Sequence, residues 1–496
     1  MAAKPNIVFL LNDHQAYYRH GWDAGPAVRR PHFDRLAAGG ITFSRAYTAC
    51  PLCGPARRTI LTGLFPHNHA EIHNDTNHPY DREVYLDILA ASGYRCFYYG
   101  KWHAGAGTAH DHHCEGFSYP TYNNPYTKPR YRAYLQRRRL PEPQVLIHRI
   151  FWQREGMEVG RPWQQRGAWC NEHATGILQT PEDTHEAFFL ANLACDKLRE
   201  LAASDDDRPF ALRVDFWGPH QPYFPTQTYA DMYTPADIRQ YGNFADTLEG
   251  KPSIYRYENN DPLHRDCQLI QPNPLPWSEW RKVLALCYAQ ITLVDAAGGK
   301  VLDALDELGF RQNTLVIWTT DHGDAVACHG GHFDKGAYMP EEMIRVPLAV
   351  RFPGRVEAPG VCDRLVSNLD VAPTLLDAAG LSFSSPVDGT SLLPLCRGEA
   401  DRWRDSLLCE TFGHHLPHVG RAIVTDRYKY VANRDDADEL YDLRDDPFEL
   451  HNLIHDPQHA GAITDLRAEL VRWQRAAGDA ADGPPAQQPP SGRQRL

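Results

Sequence analysis

Ile7-Val8-Phe9-Leu10-Leu11 runs directly into Asn12-Asp13-His14-Gln15. An apolar run without alternation fits a strand buried on both faces, as in a parallel sheet covered by helices. The polar residues after it then sit at the strand's carboxyl end, the edge where open α/β sheets bind ligands. Three later runs end the same way. Tyr94–Tyr99 stops at Gly100-Lys101-Trp102-His103, Phe210–Phe216 leads to Pro219-His220-Gln221-Pro222, and Thr314–Thr319 stops at Thr320-Asp321-His322-Gly323. Helically patterned stretches lie between them: 31–39, 85–92, 184–203 and 280–308. The last carries Val283, Leu286, Ile291, Val294, Leu302 and Leu305 mostly at helical spacing. The fold class read from this alternation is α/β, with a large, mostly parallel central sheet covered by helices.

Outside that frame the pattern changes. Residues 110–181 and 224–276 show poor periodicity and are read as irregular insertions, the first lying over the site. The run Arg137-Arg138-Arg139 reads chiefly as a solvated helix face. A main domain over 1–380 is followed by a smaller α+β subdomain over 381–480. Its strands are Arg421–Thr425, Tyr428–Val431 and Glu439–Leu443, and a helix near 462–477 closes it. The Pro/Gln/Gly-rich stretch 481–496 is read as disordered.

Hydrophobic residues are 42% and charged residues 23% of the 496, the balance of a soluble globular protein. The net charge of −12 argues against nucleic acid as a partner, because a phosphate backbone needs a basic face. No stretch approaches the ~18 apolar residues that span a bilayer. No leader precedes Ile7, so no membrane partner and a cytoplasmic location are expected. Cys50-x-x-Cys53 is the only CxxC among 12 cysteines, which leaves a zinc ribbon without its second half. A thioredoxin-like redox pair stays open as a minor alternative.

Cys53-Gly54-Pro55-Ala56-Arg57-Arg58-Thr59 places a sulfur beside a chain-turning Gly-Pro pair. Pro55 suits the first turn of a helix, so Cys53 is expected at or just before a helix N-terminus, with Arg57 adding positive charge. Two readings stand level on this stretch alone: a functional sulfur in an anion-binding site, or a buried cysteine ahead of a helix with solvated arginines. The strand ends tip the balance. Asp13-His14, Lys101/His103, His220 and Asp321-His322 gather on one sheet edge with Cys53, Arg57 and Lys335. Carboxylates with imidazole suit a hard or borderline divalent cation. Lysines, histidines and arginine around it suit an oxyanion of phosphorus or sulfur. Serine-hydrolase and P-loop signatures are missing.

Cys53-x-Pro55-x-Arg57 followed by Leu61-Thr62-Gly63 resembles the signature of the type I sulfatases, in which that cysteine is oxidised to formylglycine. The likeness continues in order through Pro5–Phe9 before Asp13, Gly100–His103, Pro219–Pro222 and Thr320–Gly323. It extends through Asp334-Lys335-Gly336, Arg345-Val346-Pro347 and Tyr441-Asp442-Leu443, ending with Asp446–Glu449 and Asn452-Leu453. The resemblance implies an alkaline-phosphatase-like α/β sandwich. It also implies hydrolysis of a sulfate monoester: a sulfated sugar or small alcohol sulfate, with aryl sulfates as surrogates.

The same resemblance assigns roles. A calcium-like cation would be held by Asp13, Asp321, His322 and the modified Cys53, whose hydrated aldehyde attacks sulfur. Arg57 would hold the nucleophile. Lys101, Lys335 and His220 would bind sulfate, with His220 or Lys335 protonating the leaving alcohol, and His103 would remove a proton. His14, His329 and His332 are candidates for substrate contact or support. Cys50 reads as packing, and His67, His69, His73 and His78 as surface or loop residues that can reach the cleft. A formylglycine-generating maturation enzyme is an implied partner.

Two positions depart from the commonest family pattern: His14 replaces a second carboxylate, and His322 replaces an asparagine. Both changes admit manganese or another imidazole-tolerant cation. They also occur in relatives that cleave phosphonate monoesters and phosphodiesters, whose cysteine turn likewise reads C-G-P. Lys101-x-His103 points back to sulfate esters. Phosphonate or phosphodiester hydrolysis is the alternative activity, and a non-catalytic anion binder a more distant one.

Overall fold

The computed structural model describes residues 4–17, 27–120, 123–151, 156–164, 174–258, 263–266, 268–356, 360–399 and 401–480. In it the apolar runs join in an eight-stranded sheet. Its strands are β1 (Asn6–Asp13), β2 (Ile41–Phe43), β3 (Arg95–Lys101), β4 (Glu115–Tyr119), β5 (Phe210–Pro219), β6 (Thr314–Thr320), β7 (Leu348–Arg351) and β8 (Gly360–Cys362). Their spatial order is β8-β2-β7-β6-β1-β5-β3-β4, and only β7 runs against its neighbours. The five strands from β6 to β4 are parallel, so their carboxyl ends share one edge.

The sheet is buried on both faces, as the unbroken apolar runs require. On β1, Val8 and Leu10 point into one core and Ile7, Phe9 and Leu11 into the other. Among the helices are α1 (Pro31–Ala38), α2 (Cys53–Thr62), α3 (Tyr85–Ala91), α4 (Glu186–Ala202), α5 (Trp277–Glu307), α6 (Val371–Ala378) and α7 (Ala460–Ala477). Helices α1, α4 and α5 cover the first face, and α2, α3 and α6 the second. Each such buried aliphatic or aromatic side chain contributes about 1.5–3 kcal/mol.

The stretch 110–181 is more regular than its sequence reads. It supplies β4, the edge strand, whose Glu-Gly-Phe-Ser-Tyr is too short and polar to signal a strand by itself. It also forms a helix, Pro129–Arg138, and a three-stranded antiparallel sheet of Gln144–Ile150, Pro162–Gln164 and Ala174–Leu178. That helix buries Tyr131, Tyr134 and Leu135, while Arg137 and Arg138 pair with Asp196 at 3.5 and 3.1 Å. The 481–496 tail lies outside the described residues.

Beyond the main sheet, β9 (Leu407–Gly413), β10 (Pro417–Val424), β11 (Tyr428–Asn433) and β12 (Glu439–Asp442) form an antiparallel meander. Helix α7 packs Ile463, Leu466 and Leu470 on its Leu408, Ile423, Tyr430 and Leu440. Buried Lys429 ties the meander to the segment before α-helical Glu341: its ammonium donates to Met339 O at 2.8 Å and pairs with Glu449. No described helix is long and apolar enough to cross a membrane.

Close approach of α5 fixes the strand ends. Gly298 faces Trp318 of β6, and a Cβ there would fall 2.4 Å from the indole. The same indole donates to Asn12 Oδ1 at 3.1 Å, one residue before Asp13. Alanine ordinarily adds about 1 kcal/mol over glycine in a helix interior. Overpacking costs about 1–3 kcal/mol, so Gly298→Ala is expected to lower the urea midpoint. A raised midpoint would show that the ring can yield.

Candidate active site

Helix α2 begins at Cys53, after an extended Leu52, and all ten of its residues are buried. The Gly54 N–H, free at this first turn, donates to Asn74 Oδ1 at 2.9 Å. The four-residue step to Arg57 puts both side chains on one helix face. Arg58 points elsewhere. It donates to His78 O, Ala104 O and Pro79 O and stacks on Tyr80, pinning the loop after β3.

Asp13, Cys53, Asp321 and His322 present ligand atoms within 4.8 Å of one another, all buried. Cys53 Sγ lies 3.0 Å from His322 Nε2 and 3.7 Å from Asp13 Oδ1. His322 Nδ1 faces Gly323 O at 2.8 Å, a contact that needs the proton on Nδ1 and leaves the Nε2 lone pair toward the sulfur. Two carboxylates, an imidazole and a sulfur position within this span fit a divalent cation.

Arg57 binds the same carboxylates from behind. Nε donates to Asp321 Oδ2 at 2.8 Å and Nη1 to Asp215 Oδ2 at 3.0 Å, while Nη2 lies 3.2 Å from Asp13 Oδ2. Lys101 also pairs with Asp13 Oδ2. Burial works to raise the Asp13 pKa, but Lys101 and Arg57 hold it well below the usual carboxylate range. Asp215 was not among the sequence candidates. It further accepts from Tyr98 and from both Arg213 Nε and Nη2 at 2.7–2.8 Å. A lone acid inside the apolar run Phe210–Phe216 was its one available signal.

The sulfur's state differs from what a helix N-terminus alone predicts. Burial pushes the Cys53 thiol up to about 12; Lys101 opposes this, and Asp13 reinforces it. Arg57's charge is taken up by three carboxylates, so a protonated thiol results. Cys50 is buried as well, its thiol pushed well up by burial, in keeping with packing.

His220 follows β5. Its N–H donates to Asp13 O at 3.1 Å, Nδ1 meets Gln221 O at 2.8 Å, and Nε2 receives Lys335 Nζ at 3.1 Å. Burial and Lys335 pull His220 down to about 3. Burial would also lower Lys335, but Asp334, 3.1 Å away, raises it above its ordinary value. The pair therefore shares one proton, which resides on the lysine. The His14 ring is tilted against those of His220 and His322, centroids 4.8 and 4.9 Å away. Its Nε2 is 3.5 Å from both Asp324 Oδ1 and Asp334 Oδ1, and neither ring nitrogen makes a hydrogen bond among the described residues. Burial and Asp334 push Asp324 up to about 7. His14, His220 and Asp334 form a second group of close donors, where Lys335 already supplies a cation. His103 adopts φ 41° and places Nε2 3.1 Å from Asn74 O, so Asn74 touches both the α2 N-terminus and His103. Burial, then Lys101, keep His103 well below its ordinary pKa, hence neutral.

His329 and His332 sit in a separate buried cluster. His329 lies 2.9 Å from Asp246 and 3.3 Å from Glu342; burial opposes its charge, but Glu342 and Asp246 raise it to about 9. His332 spans His329 O and Tyr255 O at 2.6 and 2.8 Å. Both pin the loop that carries Lys335. His67 pairs with Glu410 at 2.6 Å, His69 with Thr59 at 3.0 Å, His73 with His414 O at 2.6 Å and His78 with Asp81 at 3.8 Å.

Comparison with known proteins gives the family. The sulfatase family model matches residues 5–381, and the N-sulphoglucosamine sulphohydrolase C-terminal model matches 328–476. The choline-sulfatase of Rhizobium meliloti is 29% identical over 96% of this chain and 88% of its own length. The arylsulfatase of Clostridium perfringens is 28% identical over 95% and 94%. The phosphonate monoester hydrolase of Agrobacterium radiobacter superposes with a TM-score of 0.73 over 98% of this chain and 100% of its own; at 22% identity that likeness speaks to fold alone. A family match that takes in the strand ends bearing Asp13, Lys101, His220 and Asp321, together with the α2 cysteine, places this chain in the sulfatase family, as an enzyme with the alkaline-phosphatase-like fold.

Proposed function

We propose that the chain hydrolyses a sulfate monoester, with residue 53 in its formylglycine form and one divalent cation held by Asp13, Asp321, His322 and residue 53. The observation that carries this reading is the place of Cys53: it opens helix α2, and its sulfur lies with ligand atoms of Asp13, Asp321 and His322 within 4.8 Å of one another. Without a cation, burial raises that thiol's pKa to about 12, in keeping with its serving as the precursor of another group made by a maturation enzyme. Calcium suits the carboxylates, and His322 equally admits manganese. Bound there, the cation would draw sulfate oxygens and acidify the hydrated aldehyde.

The chain's own residues do the rest. Arg57 fixes Asp13 and Asp321 against their mutual repulsion. Lys101 and Lys335 flank the cluster and balance charge on the sulfate oxygens. The Lys335–His220 pair supplies the proton for the leaving alcohol: Lys335 holds it, and neutral His220 can relay it. Neutral His103 is a base placed beside Asn74, next to the α2 N-terminus.

Charge supports the substrate class. Asp13, Asp215 and Asp321 are balanced by Arg57, Lys101 and Arg213, and Asp334 by Lys335. A divalent cation would then leave a positive excess of about two charges, which suits an anionic ester. Sulfate monoesters qualify, and so do phosphodiesters and phosphonate monoesters. His14 and His322 keep the phosphorus alternative in view, while Lys101 and His103 and the sulfatase relatives favour sulfate. The natural substrate we infer is a small alcohol sulfate or sulfated sugar, with aryl sulfates as surrogates.

Co-expression with a maturation enzyme is expected to convert the residue-53 peptide from thiol to aldehyde by mass, and active protein carrying only unmodified Cys53 would sink the mechanism. Protein made without that enzyme should resist iodoacetamide at pH 8 while folded and react once denatured. Chelation should abolish turnover and lower the melting temperature, since a cation that binds only the folded state stabilises it; Asp13→Asn should lose about 100-fold or more in kcat. Aryl sulfate turnover should exceed that of paired phosphonate and phosphodiester substrates, and the reverse order would favour the phosphorus reading.

A further inference from the structure

The two strands at the centre of the site do not stay in register. β1 and β5 pair from Ile7↔Ala211 to Leu11↔Asp215, and then Asp13 stands opposite Pro219. A step of two residues on β1 is thus matched by four on β5, so Phe216–Gly218 bulges from the ladder. On its other side β5 pairs with β3 only as far as Gly100↔Asp215. The N–H groups of Trp217 and Gly218 need another acceptor in a fully buried place. Glu186, the first residue of α4 and 1% exposed, provides it: Oε1 accepts from Gly218 at 2.9 Å and Oε2 from Trp217 at 3.3 Å.

The bulge carries functional groups. The Trp217 ring lies 4.9 Å from the His220 ring and 5.0 Å from Lys101 Nζ. Its Nε1 donates to Gln221 O at 3.3 Å, while the His220 N–H donates to Asp13 O. Helix α5 closes the opposite side, since a Cβ on Gly218 would fall 2.6 Å from Val294 Cγ2. The bulge is therefore held between α4 and α5, and the α4 clamp is one carboxyl group whose two oxygens both accept; burial raises its pKa to about 8, and the Gly218 and Trp217 N–H groups oppose that rise. Glutamine would turn an amide N–H toward one of the two peptide N–H groups.

We propose that Glu186 is a positioning residue for catalysis: by satisfying the bulge it sets Trp217 and His220, and with them the His220–Lys335 pair that protonates the leaving alcohol. This rests on the sulfate-ester reading above. The test measures kcat and KM of Glu186→Gln on nitrophenyl sulfate and on an alkyl sulfate, with the melting temperature followed in parallel. An acidic phenol needs little protonation on leaving, and an alkyl alcohol needs it fully. The expected result is a kcat loss of about 100-fold on the alkyl sulfate, the size that a roughly 1 Å misplacement produces, with a much smaller loss on nitrophenyl sulfate and little change in KM. Glu186→Gln/His220→Ala should be no slower than His220→Ala alone, because one residue acts through the other. Equal losses on both substrates, or a multiplicative loss in the double variant, would overturn the proposal. His220→Ala by itself tests the proton-donor reading separately, through its own leaving-group dependence. Should the glutamine variant not fold, Glu186→Asp, with the same acceptors on a shorter stem, is held to the same expectations.

Discussion

One guanidinium joins three strand ends. Asp13 closes β1, Asp321 follows β6 and Asp215 lies in β5, and Arg57 reaches all three from the first turns of α2. The strands are neighbours in the sheet, so the fold brings their carboxylates together whether or not the charges favour it. Without a buried cation the arrangement would be strongly self-repelling. Removing one partner from such a buried network typically costs about 3–5 kcal/mol. Arg57 thus fixes the angle of α2, and with it the position of Cys53 over the strand ends.

The rest of the site is layered on that staple. Lys101 adds a second cation against Asp13, which lets Asp13 stay ionised although burial opposes it. The Asp334–Lys335–His220 chain leaves one proton beside the cluster on a residue far from its usual titration range. The loop bearing Lys335 is anchored by His329 between Asp246 and Glu342. The same region meets the C-terminal meander through Lys429 at Met339 and Glu449. The smaller subdomain therefore braces the loop that presents the lysine.

Cys53 shows how local and tertiary electrostatics can disagree. A helix N-terminus and a nearby arginine favour a thiolate in isolation. In the folded chain, burial and two carboxylates outweigh them. Without a bound cation the residue is then a protonated thiol, beside the carboxylates and imidazole that could hold one.

The sequence by itself determined the strands, their burial on both faces and the polar groups at their carboxyl ends. Apolar runs and the helix N-terminal turn are short-range signals, and Asp13, Cys53, Arg57, Lys101, His220 and Asp321 follow from them, whereas Lys335, in a loop, drew its role from the family resemblance. Only the tertiary structure decided where side chains point and which distant groups complete each other. His14 turns toward Asp324 and Asp334; His329 and His332 turn away into their own cluster; β4 becomes a strand because β3 offers it an edge. Asp215 is the one acid in an apolar segment, and Glu186 follows Glu182 and Asp183 at a helix start, so neither stands out in the sequence. Their partners, Arg57 across 158 residues and the Trp217–Gly218 bulge across 31 and 32, are set by helix placement and strand register. Those are properties of packed elements, and no local periodicity encodes them.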